Sequence, residues 1–340
     1  MQKIRVLVVD DSVVFRKFLI QGLKEEEGIE VVAEARDAFE ARDAIIKYRP
    51  DVMTLDIEMP KMSGLEFLKK LLPQYPMPVV MVSSLDGKVF DAMQAGAVDF
   101  VRKPELMDRK SIQQLIKQEL AVKIKIASTV KKSKIKVPLS IERREFKTGV
   151  GKQHDLIAIG ASTGGTEAIR NVLDKFGVDI PGIVIVQHMP PGFTAMFAQR
   201  LNDICQITVK EAEHGDIVRP GQALIAPGDK HMRLIKVDAG YQVECRTGEK
   251  VSGHCPSVDV LFHSVAKTAG NKALGIILTG MGRDGSEGLL AMKKAGATTI
   301  GQDEESCIVY GMPKVAYDIG AVDYQITLSD IPNKVCNLLK

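Results

Sequence analysis

Residues 156–165 of the chain read LIAIGASTGG and join a strand pattern to a helix pattern. The apolar run 156–159 has the length of a buried strand, and helix-forming residues follow the glycines from Glu167. A strand that passes through a glycine-rich turn into a helix is the repeating unit of parallel α/β domains. This stretch therefore predicts an α/β fold with a parallel sheet.

A serine lies between glycines in this turn, because Gly160, Ser162 and Gly164 have the G-x-S-x-G spacing of a nucleophile elbow. Small neighbours allow a sharp turn that leaves the hydroxyl group exposed. The N–H groups at the start of the following helix then point toward an oxyanion formed there. Ser162 is therefore a candidate nucleophile.

Two other interpretations of this turn stay open. A glycine-rich turn between a strand and a helix also cradles phosphates and dinucleotides, although neither the G-x-G-x-x-G spacing nor the Walker pattern is present. The stretch can also be a plain tight turn. Tyr310 and Lys314 have the Tyr-x-x-x-Lys spacing seen in dehydrogenases. Gly311 and Pro313 lie between them and argue against a catalytic helix there.

Length and composition are those of an ordinary globular protein. The 340 residues suggest two domains, and 45% apolar with 26% charged residues is typical of soluble chains. We expect a cytoplasmic protein without membrane insertion, because no apolar run could cross a bilayer and the N-terminus resembles no signal peptide. Five cysteines without CxxC spacing fit a reducing compartment rather than a zinc site, and a net charge of +3 does not indicate nucleic-acid binding.

The chain divides into three parts. Strand and helix patterns alternate at first, a lysine-rich stretch with proline and glycine follows, and a second alternation then begins. We predict a first domain over 1–122, a linker over 123–151 and a second domain over 152–340. Both domains are expected to be doubly wound with a mainly parallel sheet, and the second to carry an antiparallel hairpin within 232–245.

Acidic side chains follow two strand patterns of the first domain. Asp10 and Asp11 come directly after one apolar strand, and Asp56 ends another. Because the carboxyl ends of parallel strands meet at one edge, these carboxylates are expected to converge, and Mg²⁺ would relieve their repulsion. Ser83 and Lys103 also fall at strand ends, where they could hold phosphoryl oxygens. Taken singly, each aspartate could be only a helix N-cap.

This set resembles the receiver domain of two-component response regulators. The matching motifs are Val9-Asp10-Asp11-Ser12, DIEMPKMSG over 56–64, Ser83-Ser84 and Lys103-Pro104. The resemblance implies a flavodoxin-like fold in which Asp56 accepts a phosphoryl group from a histidine kinase. It also implies that Ser83 and Lys103 contact this group.

The same resemblance assigns a metal site and a switch residue. It implies that Mg²⁺ is held by Asp11, Asp56 and the backbone carbonyl of Glu58, with Asp10 in support. Transfer to a carboxylate depends mainly on charge neutralisation, which the metal supplies. Phe100 stands where the family has its switch aromatic residue.

Two more polar side chains follow strand patterns of the second domain, as Ser162 does. His188 comes directly after the apolar run 183–187, and Asp284 lies in the glycine-rich loop after 275–278. Three strand ends thus direct Ser, His and Asp toward one edge of the sheet, which is the composition of a catalytic triad. The chain order Ser, His, Asp differs from the Ser, Asp, His order of the α/β-hydrolases.

Each of these side chains also has a simpler interpretation. A histidine in a loop is most often a surface or capping residue, and Asp284 before a glycine could be only a helix cap. His214, His231 and His254 are weaker candidates for the base. His254 and Cys255 could line a substrate groove.

The second domain resembles the chemotaxis protein-glutamate methylesterases. The matching blocks are IGASTGGTEA over 159–168, QHMPPGFT over 187–194, APG over 226–228, HCPSVD over 254–259 and LTGMGRDG over 278–285. With the receiver motifs they cover nearly the whole chain in the family's domain order. The resemblance implies a Rossmann-like catalytic domain with Ser162, His188 and Asp284 as its triad. It places the oxyanion site near the backbone N–H of Met281, with Thr163 in support.

The resemblance also implies a function. We expect a cytoplasmic hydrolase that demethylates glutamate γ-methyl esters on chemoreceptors for chemotactic adaptation, with deamidation of receptor glutamines as a side reaction. Its catalytic domain would need no cofactor, and phosphorylation by the chemotaxis histidine kinase would raise its activity. The main rival is a non-enzymatic response regulator whose output domain binds DNA or protein, typically through a helix-turn-helix after the linker. A nucleotide-dependent oxidoreductase would require the dinucleotide pattern that is missing.

Overall fold

The computed structural model describes residues 2–84, 87–106, 108–135 and 154–339. The chain divides into two compact units, Met1–Ile141 and Glu142–Lys340. Each unit contains its own parallel sheet with helices between the strands.

The first unit is built on a five-stranded parallel sheet in the order β2-β1-β3-β4-β5. Its strands are β1 (Ile4–Val9), β2 (Ile29–Ala35), β3 (Val52–Leu55), β4 (Val79–Ser83) and β5 (Asp99–Arg102). Its first five helices are α1 (Val13–Lys24), α2 (Ala38–Tyr48), α3 (Gly64–Leu71), α4 (Lys88–Gln94) and α5 (Arg109–Leu115). The strand order reverses between β1 and β3, so the loops after these two strands border the crevice where such sheets bind ligands.

Local sequence explains these elements. Ser12, Asp37 and Ser63 are the N-caps of α1, α2 and α3, and each accepts a hydrogen bond from a first-turn N–H. The inner strand β3 is buried along its whole length, which is why its sequence is almost entirely apolar.

The helix that begins with α5 extends further than the sequence predicts. It continues through a π-helical turn, Ile116–Leu120, into α6 (Ala121–Ser128). Ile124 and Ala127 of α6 are fully buried in the first unit. The first residues assigned to the linker therefore belong to this unit, and linker residues 136–151 lie outside the described part of the chain.

The second unit contains a seven-stranded parallel sheet in the order β14-β13-β12-β6-β7-β9-β8 and a separate antiparallel hairpin. The sheet strands are β6 (Leu156–Ala161), β7 (Gly182–Gln187), β8 (Thr208–Glu211), β9 (Gln222–Ile225), β12 (Ala273–Ile277), β13 (Thr298–Gln302) and β14 (Tyr324–Ile326), and the hairpin is β10 (His231–Val237) with β11 (Gly240–Arg246). The helices are α7 (Gly165–Leu173), α8 (Phe193–Ile204), α9 (Val258–Thr268), α10 (Ser286–Lys294), α11 (Met312–Asp318) and α12 (Ile331–Leu338).

The strand order puts β6 at the centre of this sheet, between β7 and β12. All residues of these three strands are buried. The chain runs outward from β6 on the β7 side and returns on the other side at β12, so the carboxyl ends of β6 and β12 border the crevice of this fold. The predicted fold class, two doubly wound parallel sheets with a hairpin in the second, is confirmed.

Among the described residues, no helix combines the length and the apolar character needed to cross a bilayer.

Candidate functional site

Ser162 lies in the turn between β6 and α7. The turn is tight because Gly164 has a φ of 78°, and a Cβ atom there would lie 2.8 Å from Ile308 Cβ. The Ser162 N–H donates to the Thr279 carbonyl at 3.0 Å, which fixes the turn to the loop after β12. The hydroxyl group is therefore held at the carboxyl edge of the sheet.

His188 is the first residue after β7, the strand that pairs with β6. Ala161 and Gln187 stand opposite each other at the ends of these strands. The side-chain amide of Gln187 donates to the carbonyl oxygens of both Ser162 (3.0 Å) and His188 (3.1 Å). Ser162 and His188 thus occupy neighbouring positions, and one buried amide fixes both.

Asp284 joins this group from the loop after β12. Its Oδ2 lies 2.8 Å from His188 Nε2. The carboxylate also accepts the Ser257 hydroxyl (2.7 Å) and the N–H groups of Val258 (2.7 Å) and Asp259 (3.0 Å) at the start of α9. Burial would raise the pKa of Asp284, but His188 and these donors outweigh it and lower the pKa to about 2. Asp284 therefore stays ionised and orients His188.

The other ring nitrogen of His188, Nδ1, is buried and has no hydrogen-bond partner among the described residues. Because Asp284 occupies Nε2, Nδ1 is the nitrogen that can accept a proton. The general Ser-His-Asp template uses the two nitrogens the other way round. No hydrogen bond joins Ser162 Oγ to His188 Nδ1 in this structure, and catalytic hydrogen bonds of this kind often tighten only when substrate binds.

His254 packs face to face on His188, with ring centroids 3.7 Å apart and an interplanar angle of 5°. Its Nδ1 donates to the Ser252 carbonyl at 2.9 Å. Burial, together with the neighbouring His188, lowers the pKa of His254 to about 4. A neutral ring therefore covers one face of the His188 imidazole.

The same three side chains have the composition of a metal site but not its geometry. Ligand atoms of His188, His254 and Asp284 lie within 4.8 Å of one another. Stacked rings direct their lone pairs within two parallel planes, so both nitrogens do not point at one ion. The arrangement suits ring stacking and orientation of His188.

Thr163 and Met281 are both adjacent to Ser162. The buried Thr163 follows it in the turn, and its carbonyl accepts the Thr279 hydroxyl at 3.0 Å. A Cβ atom at Gly280 would lie 2.7 Å from Ser162 Cβ, so the loop after β12 runs directly against the candidate nucleophile. Met281 is the next residue of this loop, and its side chain is 45% exposed.

The acidic residues of the first unit form a second polar site. Asp10 and Asp56 are buried directly after β1 and β3. Lys103 Nζ lies 2.8 Å from Asp10 Oδ2 and 2.6 Å from Asp56 Oδ2. Burial raises the pKa of both carboxyl groups, that of Asp56 to about 6, although Lys103 opposes the shift. Burial would lower the pKa of Lys103, but the two carboxylates raise it, so the ammonium group stays charged.

The neighbouring Asp11 is exposed, and its carboxylate lies within 4.8 Å of ligand oxygens of Asp10 and Asp56. Three carboxylates at this spacing form a donor set that suits a hard divalent cation such as Mg²⁺. The backbone of Glu58 lies at the same edge, because its N–H donates to Asp56 Oδ1 at 3.3 Å. The residues present therefore fit the metal.

Ser83 and Phe100 are placed differently with respect to this site. Ser83 is buried at the end of β4, and its carbonyl accepts the Lys103 N–H at 2.7 Å. Phe100 lies in β5 and packs edge-on against Phe90 of α4, with ring centroids 6.1 Å apart. Ser83 thus adjoins the lysine, whereas Phe100 lies between the sheet and α4.

Sequence patterns single out neither Ser257 nor Thr279, although both contact residues of the candidate site. A serine directly before a helix pattern is an N-cap signal, so the role of Ser257 at α9 was open to prediction. No local pattern indicates that Asp284 accepts a hydrogen bond from the first turn of α9, or that the Thr279 hydroxyl faces the Ser162 turn, because both contacts join distant segments.

Comparisons with known proteins cover both units. Residues 157–335 match the family model of the CheB methylesterases, and residues 6–117 match that of the response regulator receiver domains. A protein of Syntrophomonas wolfei named protein-glutamate methylesterase/protein-glutamine glutaminase 2 is 56% identical over 342 residues, covering 100% of this chain and 98% of that protein. A Salmonella typhi protein named protein-glutamate methylesterase/protein-glutamine glutaminase is 50% identical over 339 residues, covering 98% of this chain and 97% of its own length.

Among solved structures, the crystal structure of the Thermotoga maritima CheB methylesterase catalytic domain is similar, with a TM-score of 0.53 and 38% sequence identity. The similarity covers 54% of this chain and 98% of that domain.

Proposed function

This chain belongs to the CheB methylesterase family, and we propose on that basis that it is a phosphorylation-regulated protein-glutamate methylesterase. Its substrates are glutamate γ-methyl esters on chemoreceptors, and receptor glutamines are a second substrate, which it deamidates. The proposal depends on one observation: Ser162, His188 and Asp284 lie together at the carboxyl edge of the sheet, and His188 Nε2 is 2.8 Å from Asp284 Oδ2.

In the first half of the reaction, Ser162 Oγ attacks the ester carbonyl carbon while His188 Nδ1 takes the hydroxyl proton. Asp284, with a pKa of about 2, remains a carboxylate and stabilises the imidazolium. The carbonyl oxygen becomes an oxyanion, to which the Met281 N–H donates, with the Thr163 turn in support. The intermediate collapses, His188 returns the proton to the methoxy oxygen, and methanol leaves.

In the second half, water attacks the acyl-enzyme and His188 Nδ1 takes a proton from it. The proton passes to Ser162 Oγ as the acyl bond breaks, and the receptor keeps a glutamate. A glutamine side chain follows the same course, except that His188 must protonate the leaving nitrogen before ammonia departs. His254 remains neutral and covers one face of His188 throughout.

In the receiver unit, Asp56 accepts the phosphoryl group from the chemotaxis histidine kinase. Asp11, Asp56 and the Glu58 carbonyl would hold Mg²⁺, which would supply charge neutralisation for the transfer. Lys103, which lies 2.6 Å from Asp56 Oδ2, binds phosphoryl oxygens, and the Ser83 hydroxyl is a further donor.

Phosphorylation raises the activity by shifting the population of arrangements that differ in access to Ser162. The increase is limited by how much more the phosphoryl group stabilises the active arrangement than the inactive one. Phe100 acts as the switch residue of the receiver unit. The ester hydrolysis takes place in the cytoplasm, on the cytoplasmic part of the receptor.

The test measures methanol released from membranes that hold methylated chemoreceptors. Wild-type protein is expected to release methanol, and a small phosphodonor with Mg²⁺ to increase the rate. Asp56→Asn removes the phosphoryl acceptor, so it should keep the basal rate and lose the increase. Asp43→Asn, at an exposed aspartate of the same unit, should behave like wild type.

Two results would contradict this proposal. If folded wild-type protein releases no methanol from methylated receptor membranes, the chain is not a methylesterase. An increase that persists in Asp56→Asn shows that phosphorylation of Asp56 is not the switch.

A further inference from the structure

We propose that Thr279 is a positioning residue for the hydrolytic reaction, an inference that rests on the function proposed above. Its side chain ties the turn that carries Ser162 to the loop that carries Met281. Thr279 acts on the reaction through the oxyanion site and does not touch the substrate.

Every polar atom of the buried Thr279 has a partner. Oγ1 lies 3.0 Å from the Thr163 carbonyl oxygen and 3.2 Å from that of Val309, and it accepts the Val309 N–H at 2.9 Å. The Thr279 N–H donates to Oε1 of the buried Gln302 at 2.8 Å. The Thr279 carbonyl accepts the Ser162 N–H at 3.0 Å. One residue thus joins three segments that are distant in sequence.

The loop beyond this threonine is also fixed. The Gly280 N–H donates to the Val309 carbonyl at 3.0 Å, and the Gly280 carbonyl accepts the Gly311 N–H at 3.1 Å. A Cβ atom at Gly280 would lie 2.7 Å from Ser162 Cβ, so the loop has no free space on that side. Any movement of Val309 therefore changes the position of the Met281 N–H relative to Ser162.

The hydroxyl group matters because oxyanion donors stabilise a transition state only when they are already in place. A misplacement of about 1 Å costs on the order of a hundredfold in rate. Removing the hydroxyl removes its contacts with the Thr163 carbonyl and the Val309 N–H, which are the side-chain contacts that hold the turn to the loop. The turn and the loop would then shift relative to each other.

Two variants separate the hydroxyl group from the size of the side chain. Thr279→Val keeps the branched shape without the hydroxyl, and Thr279→Ser keeps the hydroxyl. For methanol release, we expect kcat of Thr279→Val to fall at least about tenfold with little change in KM, and Thr279→Ser to stay within about threefold of wild type. A boronic acid that forms a tetrahedral adduct with Ser162 should lose affinity for Thr279→Val in parallel with kcat/KM.

Thr299→Val is the matched control. Thr299 is a buried threonine of β13 whose hydroxyl donates to the Ala321 carbonyl at 2.7 Å and accepts the Asp323 N–H at 3.0 Å. Its replacement removes a comparable set of hydrogen bonds outside the site. We expect Thr299→Val to lower the thermal unfolding temperature as Thr279→Val does but to leave kcat unchanged.

Three results would overturn the positioning role: unchanged kcat in folded Thr279→Val, an equal loss of kcat in Thr299→Val, or no recovery of kcat in Thr279→Ser. Wild-type protein that releases no methanol would overturn the proposed function and this inference with it, so the two failures are distinguished by the wild-type rate.

Discussion

His188 has one charged and one neutral partner. His188 and the neighbouring donors outweigh burial and hold the pKa of Asp284 at about 2, whereas burial holds that of His254 at about 4. At neutral pH the carboxylate favours the imidazolium of the proposed mechanism, while the stacked ring adds no competing positive charge. This division of charge suits an imidazole that must gain and lose a proton in each half of the reaction.

The lowered pKa of His254 has a consequence for stability. The folded state binds a proton at this side chain with a pKa of about 4, against an ordinary value of 6.5. As the pH falls, the unfolded chain therefore takes up the proton at His254 before the folded state does. The free energy of unfolding is consequently unaffected by this group above about pH 6.5 and decreases as the pH falls toward 4. We expect this group to contribute a loss of roughly 2–3 kcal/mol over that range. Differential scanning calorimetry across this range should show the decline.

His254→Phe keeps a flat ring on His188 and removes the titration. The variant should show a smaller decline in unfolding temperature between pH 6.5 and pH 4 than wild type. His214→Gln, at an exposed histidine, is the control and should follow wild type. Equal slopes for His254→Phe and wild type would show that His254 is not the group responsible.

Much of the candidate site could be predicted residue by residue. Ser162, His188 and Asp284 each follow a strand, and parallel strands bring such positions to one edge regardless of their separation in sequence. The nitrogen of His188 that faces Asp284 could not be predicted, because it depends on the side-chain rotamer. The stacking of His254 could not be predicted either, because it depends on the path of a loop that carries no repeating pattern.

At the scale of elements, α9 and α10 cap each other. Asp284, before α10, accepts the first N–H groups of α9, and Asp259, in the first turn of α9, accepts the Gly288 N–H of α10 at 2.8 Å. Each carboxylate lies at the positive end of the partner helix, where a negative charge is stabilised. The orienting carboxylate of the candidate triad is therefore also a structural link between two helices.

This exchange leads to an expectation for Asp259. Asp259→Ala removes the acceptor for the Gly288 N–H, so it should destabilise the protein by about 1–2 kcal/mol in chemical unfolding. Asp259→Asn retains a carbonyl acceptor and should cost less than half as much. Glu287→Ala, at an exposed residue of the partner helix α10, should change stability by less than about 0.5 kcal/mol. Equal stability of Asp259→Ala and wild type would argue against reciprocal capping.

The helix α6, which continues from α5, lies mostly within the predicted linker and was not predicted from the sequence. The lysines of residues 123–136 indicate a solvated spacer, yet Leu120, Ile124 and Ala127 recur at helical spacing and are fully buried. Lys123 is held by Asp99 at 2.9 Å and by the Phe100 carbonyl at 2.5 Å. Lysine side chains can pair at the edge of a sheet while the residues between them pack, so lysine content alone did not mark the end of the folded unit.

At the scale of the whole molecule, the fold class followed from the sequence because strand and helix patterns alternate along most of the chain. The order of the strands within each sheet, with the reversals at β1 and β6, could not be predicted from these patterns alone. The sequence constrains this order only through the general preference for short, right-handed connections. A DNA-binding output domain would have required a helix-turn-helix after the linker, whereas the described residues 154–339 begin with the central strand of a seven-stranded sheet.

We propose that Ser162 is the nucleophile of a protein-glutamate methylesterase, and methanol release from methylated receptor membranes by Ser162→Ala tests this most directly. The alanine keeps the turn but removes the attacking oxygen, and Ser329→Ala, at an exposed serine, is the matched control. We expect Ser162→Ala to unfold at the same temperature as wild type and to lose at least about a thousandfold in rate, while Ser329→Ala retains full activity. Methanol release by folded Ser162→Ala at the wild-type rate would contradict the claim.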